Sequence, residues 1–239
     1  MKLQLPDVTL VGVETAYYDL AKIALEDCLK KVDFGNVITV SDEPLNVSGA
    51  EHHYCAPGGI DTASRLLWYV VPPLVKTSHF LICHWDSWVL CPEVWRPEFL
   101  EYDYIGAPWW HKDAYNVGNG GFSLRSTKLM QYVSNSMLEF NTIEDDILCR
   151  KHRAELEKLG FKWPTTELAE VFAFERITPS NPTFGFHGLF NFPYVLSEEE
   201  IEERLNHAPV YLLHSEHYQQ MQHLQGLIKK DKAKHGLCA

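Results

Sequence analysis

Several groups of residues in this chain have types and spacings suited to chemistry. His84-Trp85-Asp86-Ser87 directly follows the apolar run Phe80-Leu81-Ile82-Cys83, the pattern of a strand buried on both faces. Ligands of open α/β sheets bind beyond the carboxyl ends of strands, so Asp86 is well placed to meet a ligand or a metal ion; the plainer alternative is that it caps a turn. His187 stands between Gly185 and Gly188. Flanking glycines let the backbone fold tightly around an imidazole that points into a site, although a histidine satisfied in an aromatic core has the same signature. Glu144-Asp145-Asp146 opens a helical pattern. Acids in a first turn complement the helix dipole, or one of them serves as a general base towards an attacking hydroxyl, with its acidic neighbours raising its pKa. The glycine-rich stretch from Asn116 to Ser126 offers backbone N–H groups to a phosphate or sugar, yet it lacks both the G-K-[ST] ending and the G-x-G-x-x-G spacing of the common nucleotide loops. Trp85, Trp88, Trp109 and Trp110 supply faces for stacking; core packing explains the first two equally well, while the Trp109-Trp110 pair beside Pro108 and His111 is harder to bury and reads as a binding element.

The elements that must position these groups follow from pattern. Val8–Val13 reads as a buried strand, Tyr17–Lys31 as a helix, and Val37–Val40 as a second strand after a break at Phe34-Gly35-Asn36. Strand, helix and strand within about thirty residues make a βαβ unit and hence a parallel sheet. Glu14 and Thr15 end the first strand and Asp42 follows the second. Residues 44–60, rich in Pro, Gly, Ser, Asn and His, read as a loop. A helix is predicted from Asp61 through Arg65 to Val71, stopped by Pro72-Pro73, and a strand over Tyr102–Gly106. Further helices are predicted over Thr127–Phe140 and from Thr142 to about Leu159. Leu168–Phe174 is helical or extended. From Ser197 an acidic, capped helix start opens a tail of surface helices ending in the Lys-rich run Lys229–His235.

Composition narrows the function classes. The 239 residues suit one large α/β domain or two joined halves, and 46% apolar residues provide for a sizeable core. A formal net charge of −11 argues against a nucleic-acid binder. No run approaches the roughly 18 apolar residues of a membrane span, and the N-terminal residues carry no long apolar signal core, so a cytoplasmic protein is expected. The six cysteines form no C-x-x-C pair and read as reduced thiols. No internal repeat is evident.

In order, the segments Asp-Tyr-Ile-Gly-Ala-Pro-Trp (103–109), Val-Gly-Asn-Gly-Gly-Phe-Ser-Leu-Arg (117–125), Glu-Asp-Asp (144–146) and Phe-Gly-Phe-His-Gly (184–188) follow the His84-x-Asp86 strand end. This order resembles a family of glycosyltransferase-like proteins long classed as a domain of unknown function, whose members typically carry Gln-Trp-Asp-Gly where this chain has His84-Trp85-Asp86-Ser87. The resemblance runs from about Pro6 to about Leu196 and is most specific at Val117–Arg125 and Phe184–Gly188. More distantly it is similar to the GT-A fold of nucleotide-sugar transferases. That likeness implies an α/β class: a GT-A-like, Rossmann-related mixed sheet, mostly parallel and flanked by helices. In GT-A enzymes a D-x-D motif ends a central strand and its last Asp binds manganese. Asp86 matches that last Asp, whereas His84 replaces the first, which leaves open whether His84 touches ribose, metal or neither. A C-terminal histidine often adds a metal ligand, and His187 matches it in order. In inverting members, Golgi galactosyltransferases among them, a Glu-Asp pair at a helix start lies at the acceptor and its Asp is the base. This implies Asp145 first and Asp146 second, with Glu144 beside them. The glycine-rich strand implies Asn119, Gly120 and Gly121 as sugar contacts.

The expectation is therefore a metal-dependent glycosyltransferase that moves a sugar from a nucleoside diphosphate-sugar to an acceptor hydroxyl, with inversion. Residues 1–196 form the transferase domain (about 1–90 for the nucleotide, about 91–196 for the acceptor), followed by a helical tail over 197–239. Val13, Glu14, Thr15, Asp42, Arg65, His84 and Asp86 are the candidate donor contacts, Trp109, Trp110, Asn119, Gly120 and Gly121 the candidate substrate contacts, and Asp86 with His187 the candidate ligands of Mn2+ or Mg2+. The 44–60 loop and Trp109-Trp110 are expected to exclude water. The rival is a nucleotide-sugar or glycan-binding scaffold without turnover; convergence of Asp86 and His187 within metal-ligand reach favours the enzyme. A nucleotidyltransferase is disfavoured because Gly12-Val13-Glu14-Thr15-Ala16 offers neither a second glycine nor an arginine.

Overall fold

A computed structural model describes residues 1–230 of the chain. The strands are β1 (Leu3–Glu14), β2 (Val32–Ser41), β3 (Glu51–Tyr54), β4 (His79–Cys83), β5 (Ser87–Val89), β6 (Tyr104–Gly106), β7 (Phe122–Ser126), β8 (Ala173–Phe174) and β9 (Gly185–His187). Six of them form one sheet in the order β3-β2-β1-β4-β7-β6. β3, β2, β1 and β4 pair in parallel, and β7 runs antiparallel between β4 and β6. This is the mixed, mostly parallel sheet that the resemblance implies.

Alternation along the strands sends successive side chains to opposite faces. Leu10, Leu81 and Leu124 face one core with Leu20, Ala24, Leu25 and Cys28 of the Tyr18–Lys31 helix. Val11, Phe80 and Ile82 face a second core with Leu67, Trp68, Met130, Ile147 and Leu148 from helical segments on the other side. The sheet is thus buried on both faces, as its apolar runs require. A smaller sheet, β5-β9-β8, extends from the end of β4.

Some boundaries differ from expectation. β3 lies inside the predicted 44–60 loop: its residues, Glu51 to Tyr54, are half-buried or exposed, because an edge strand needs no apolar alternation. Phe34, Gly35 and Asn36 belong to β2 instead of breaking a helix that has already ended at Lys31. The helix beginning at Ile60 passes Pro72 and Pro73 and ends at Leu74. It does so through a wide i→i−5 turn over Leu66–Val70, after which the prolines occupy a first turn where a missing N–H is harmless. The helix from Thr127 stops at Ser134, and the one from Glu144 is interrupted by a second wide turn over Ile147–Lys151. Leu168–Phe174 is helical to Phe172 and extended beyond it.

The tail packs on the domain. Its first helix, Glu198–Leu205, has the full capping box, with Ser197 and Glu200 exchanging hydrogen bonds. Ile201, Leu212 and Met221 are buried in the core that holds the Tyr18–Lys31 helix. Most of the Lys-rich end lies outside the described residues. Cys28, Cys55, Cys83 and Cys149 are free thiols, but Cys91 is disulfide-bonded, which corrects the all-reduced reading at that position.

Candidate metal and acid–base site

β4 ends at Cys83, and the next residues leave the sheet in a turn fixed from both sides. The His84 N–H donates to the Gly121 carbonyl (2.9 Å), and Ser87 Oγ donates to the same carbonyl (2.9 Å). Ser87 then pairs with His187 in the antiparallel β5–β9 ladder, so the register of the small sheet brings two distant sequence segments together. Asp86 is held through one oxygen only: the Leu189 N–H donates to Oδ2 (3.1 Å). Its Oδ1 lies 3.3 Å from His187 Nε2.

His84, Asp86 and His187 each present a ligand atom, and these atoms lie within 4.8 Å of one another. Asp86 Oδ1 and His84 Nε2 are buried without a hydrogen-bond partner. Orphaned polar atoms are costly in an interior, and two of them beside an imidazole nitrogen form the donor set of a divalent cation site. His187 Nδ1 faces Glu175 Oε1 (3.2 Å) and Asn119 Nδ2 (2.9 Å). Nδ1 faces Glu175 while Nε2 faces Asp86, so the ring can serve as a ligand through Nε2 once that nitrogen gives up its proton, with Glu175 supporting it from the other side. Burial and the neighbouring His187 push His84 down to about 4, so it is neutral at pH 7. Burial alone would raise Asp86, but His187 outweighs it and holds the carboxyl below its usual range. Burial likewise opposes charge on His187, yet Asp86 and Glu175 raise it to about 10.

Gly121 lets this ring come close: a Cβ there would stand 2.1 Å from His187 Nε2. Gly188, which follows the ring, has φ of +103°, a conformation that glycine adopts at little cost.

The acidic triplet divides into distinct tasks. Glu144 is buried, accepting from Arg125 Nη2 (2.8 Å) and Ser64 Oγ (2.8 Å). Arg125 outweighs burial and keeps it ionised. Asp145 accepts from the Gly120 N–H through Oδ2 (2.7 Å) and from the Asp146 N–H through Oδ1 (2.8 Å). Burial, followed by the Glu144 charge, raises its pKa to about 7. Acidic neighbours do raise it, but burial is the larger cause.

Both groups open on one cavity of about 710 Å3. Val13, Glu14, Thr15, Trp109, Trp110, Asn119, Gly120, Gly121 and Asp146 also line it. Glu14 Oε1 accepts from the Thr15 and Ala16 N–H groups (both 2.8 Å), and burial raises its pKa. Asp42 and Arg65 are not among the lining residues. Asp42 accepts from the Tyr18 hydroxyl (3.0 Å), and Arg65, on the exposed side of its helix, lies over the Phe140 ring (4.8 Å). Trp88 is a core residue against Phe186 (4.5 Å between centroids), whereas Trp85 meets Tyr17 (4.5 Å) at the cavity wall. Of the 44–60 segment, Gly58, Gly59 and Ile60 reach the cavity.

Sequence reasoning missed Ser64, Glu175, Arg176, Tyr211 and His217, all of which line the cavity. Glu175-Arg176 carried a usable signal, since a charged pair follows the apolar run Phe172–Phe174. Tyr211 and His217 carried none.

The chain belongs to the family described as "Protein of unknown function (DUF5672)", whose model matches residues 65–187, over half its length. No curated protein matches it by sequence. Among solved structures it is similar to the mannosyltransferase PcManGT from Pyrobaculum calidifontis in complex with GDP-Man and Mn2+ (10% identity, TM-score 0.45, 67% of this chain and 56% of that one). It is also similar to the galactosyltransferase LgtC in complex with donor and acceptor sugar analogues (10%, 0.47, 84% and 96%) and to the apo-form glycosyltransferase GlyE of Streptococcus pneumoniae TIGR4 (11%, 0.46, 95% and 64%). The chain thus spans less than two thirds of PcManGT and GlyE, and likenesses this distant assign it no activity. Among the described residues, no helix is long and apolar enough to cross a membrane.

Proposed function

We propose that this protein is a metal-dependent glycosyltransferase that moves a sugar, with inversion, from a nucleoside diphosphate-sugar to an acceptor hydroxyl. The observation that carries the reading is the convergence of His84, Asp86 and His187 within 4.8 Å, two of their ligand atoms unpartnered, in the same cavity as Asp145. A scaffold that never turns over its ligand has no need of a carboxyl group held near pKa 7 beside a divalent-cation donor set.

His84, Asp86 and His187 would hold Mn2+ or Mg2+, which when bound neutralises charge on a departing diphosphate. Val13, Glu14 and Thr15 at the end of β1 line the nucleotide side, as ligands of α/β sheets lie beyond the carboxyl ends of strands. Asn119, Gly120 and Gly121 border the transferred sugar. The Gly120 and Asp146 N–H groups orient the Asp145 carboxylate, leaving its remaining lone pairs for a proton. The acceptor hydroxyl gives its proton to Asp145 as its oxygen forms a bond to the anomeric carbon. The bond from that carbon to the phosphate oxygen breaks, and its electron pair leaves with the diphosphate. Attack opposite the leaving group inverts the anomeric centre. Trp109, Trp110 and the Gly58–Ile60 turn exclude water that would otherwise take the sugar. Glu144, committed to Arg125 and Ser64, supports Asp145 from below.

Thermal stabilisation by UDP or GDP, with and without manganese, tests the reading on wild type and Asp86→Ala. A ligand that binds only the folded state raises the melting temperature by mass action. A manganese-dependent rise that Asp86→Ala abolishes is expected; a folded wild-type protein that no nucleotide stabilises refutes the reading.

A further inference from the structure

The cavity lining is acidic. Glu14, Asp86, Glu144, Asp145, Asp146 and Glu175 all face it, and among the described lining residues Arg176 is the only lysine or arginine. A diphosphate brings several further negative charges into this space, and a single divalent ion among so many carboxylates leaves a need for a second cation.

Arg176 is built for that role. Its guanidinium carbon stands 4.4 Å from the centre of the Phe190 ring and 5.9 Å from that of Trp110,. Phe190 is braced in turn by His217 of the C-terminal helix (5.6 Å between centroids). Aromatic contacts hold a guanidinium by its face and leave its in-plane N–H edge for other partners. The nearest carboxylate, Glu175 Oε1, lies 3.7 Å from Nε, beyond hydrogen-bond distance, and is engaged by His187 at 3.2 Å. One third of the Arg176 side-chain surface is exposed (33%). The residue also follows directly on Glu175, so it sits beside the support of the candidate metal ligand.

We propose that Arg176 binds the diphosphate of the donor, as the protein's own cationic contact to the leaving group. This rests on the transferase reading above and adds a specific residue to it. A planar fork of N–H donors suits phosphate oxygens bidentately, and the aromatic seat reduces the freedom lost on binding.

The test is calorimetric titration of the manganese-loaded full chain with UDP, GDP and inorganic pyrophosphate, comparing wild type, Arg176→Ala and Arg176→Lys. In Arg176→Ala the affinity for the diphosphate that wild type binds is expected to fall about tenfold or more, as for a lost hydrogen bond to a charged group. Arg176→Lys recovers part of it, and manganese alone binds all three proteins equally. Equal diphosphate affinity in wild type and Arg176→Ala overturns the proposal while leaving the transferase reading intact. Manganese affinity that falls in parallel overturns it too, making Arg176 a support of Glu175. A wild type that binds none of the three probes overturns both.

Discussion

Substituting Gly121 by alanine perturbs the candidate metal site through a single methyl group. A Cβ at this position would stand 2.1 Å from His187 Nε2, 2.3 Å from Cδ2 and 2.6 Å from Cε1. Ordinary contact begins at 3.4 Å, so the ring must retreat by about 1.3 Å, the difference from 2.1 Å. Neither partner yields readily. The Gly121 carbonyl is pinned by His84 and Ser87, while the ring is held by Glu175 and its backbone pairs with Ser87. Metal–ligand distances tolerate roughly ±0.2 Å, so the retreat is several times what coordination through Nε2 allows. Manganese affinity in Gly121→Ala is therefore expected to fall by about 100-fold or more, since even losing a supporting partner costs roughly 10–100-fold. Gly121 is not at positive φ, so backbone strain adds little and the fold should pay only the ~1–3 kcal/mol of a local overpacking. Calorimetric titration with manganese, alongside a melting curve, separates the two effects. Gly226→Ala is the control, because nothing lies within 4 Å of its added methyl. A folded Gly121→Ala protein with wild-type manganese affinity would refute the assignment of His187 Nε2 to the metal.

Four further outcomes follow from the geometry. Asp145→Asn should lower turnover by about 100-fold or more while diphosphate binding persists. In wild type, kcat/KM should rise with pH through about 7, because a base must be deprotonated and burial with Glu144 holds Asp145 protonated below that point; a pH-independent rate over that range removes Asp145 from the role. Glu144→Gln should move the same limb to lower pH by removing a charge that raises Asp145, and should destabilise the fold by about 3–5 kcal/mol by leaving Arg125 buried without its carboxylate, as read by denaturant titration. Ending the chain after Leu196 removes Ile201, Leu212 and Met221 from the core. At about 1.5–3 kcal/mol for each buried side chain this approaches the whole stability of a domain, so the shortened protein should show no cooperative melting transition.

The sequence made the central strands legible because their burial leaves long apolar runs, and it pointed to Asp86 because a charge directly after such a run has few places to go. His187 was found through its glycine neighbours and its order in the chain. Its ladder with Ser87 joins residues that no local pattern links, so the contact itself was invisible. Asp42 follows a buried strand much as Asp86 does, yet it is satisfied by Tyr18, the first residue of the preceding helix; strand-end logic cannot foresee a partner supplied by tertiary packing. Arg65 failed similarly, its helix turning it outward over Phe140. The two wide turns, Leu66–Val70 and Ile147–Lys151, leave an apolar pattern close to that of an ordinary helix and so went unseen. Tyr211 and His217 reach the cavity only through the way the tail docks, which no local pattern shows.

The β5–β9 ladder carries a constraint on folding itself. Strand residues alternate sides, so a slip of one position would carry His187 away from Asp86 and turn Phe186, packed against Trp88, out of its core. Ligand placement and hydrophobic burial therefore select the same alignment of these two short strands. A single-residue insertion between Phe184 and His187 would set the two demands against each other, and the small sheet could then satisfy its interior or its cavity but not both.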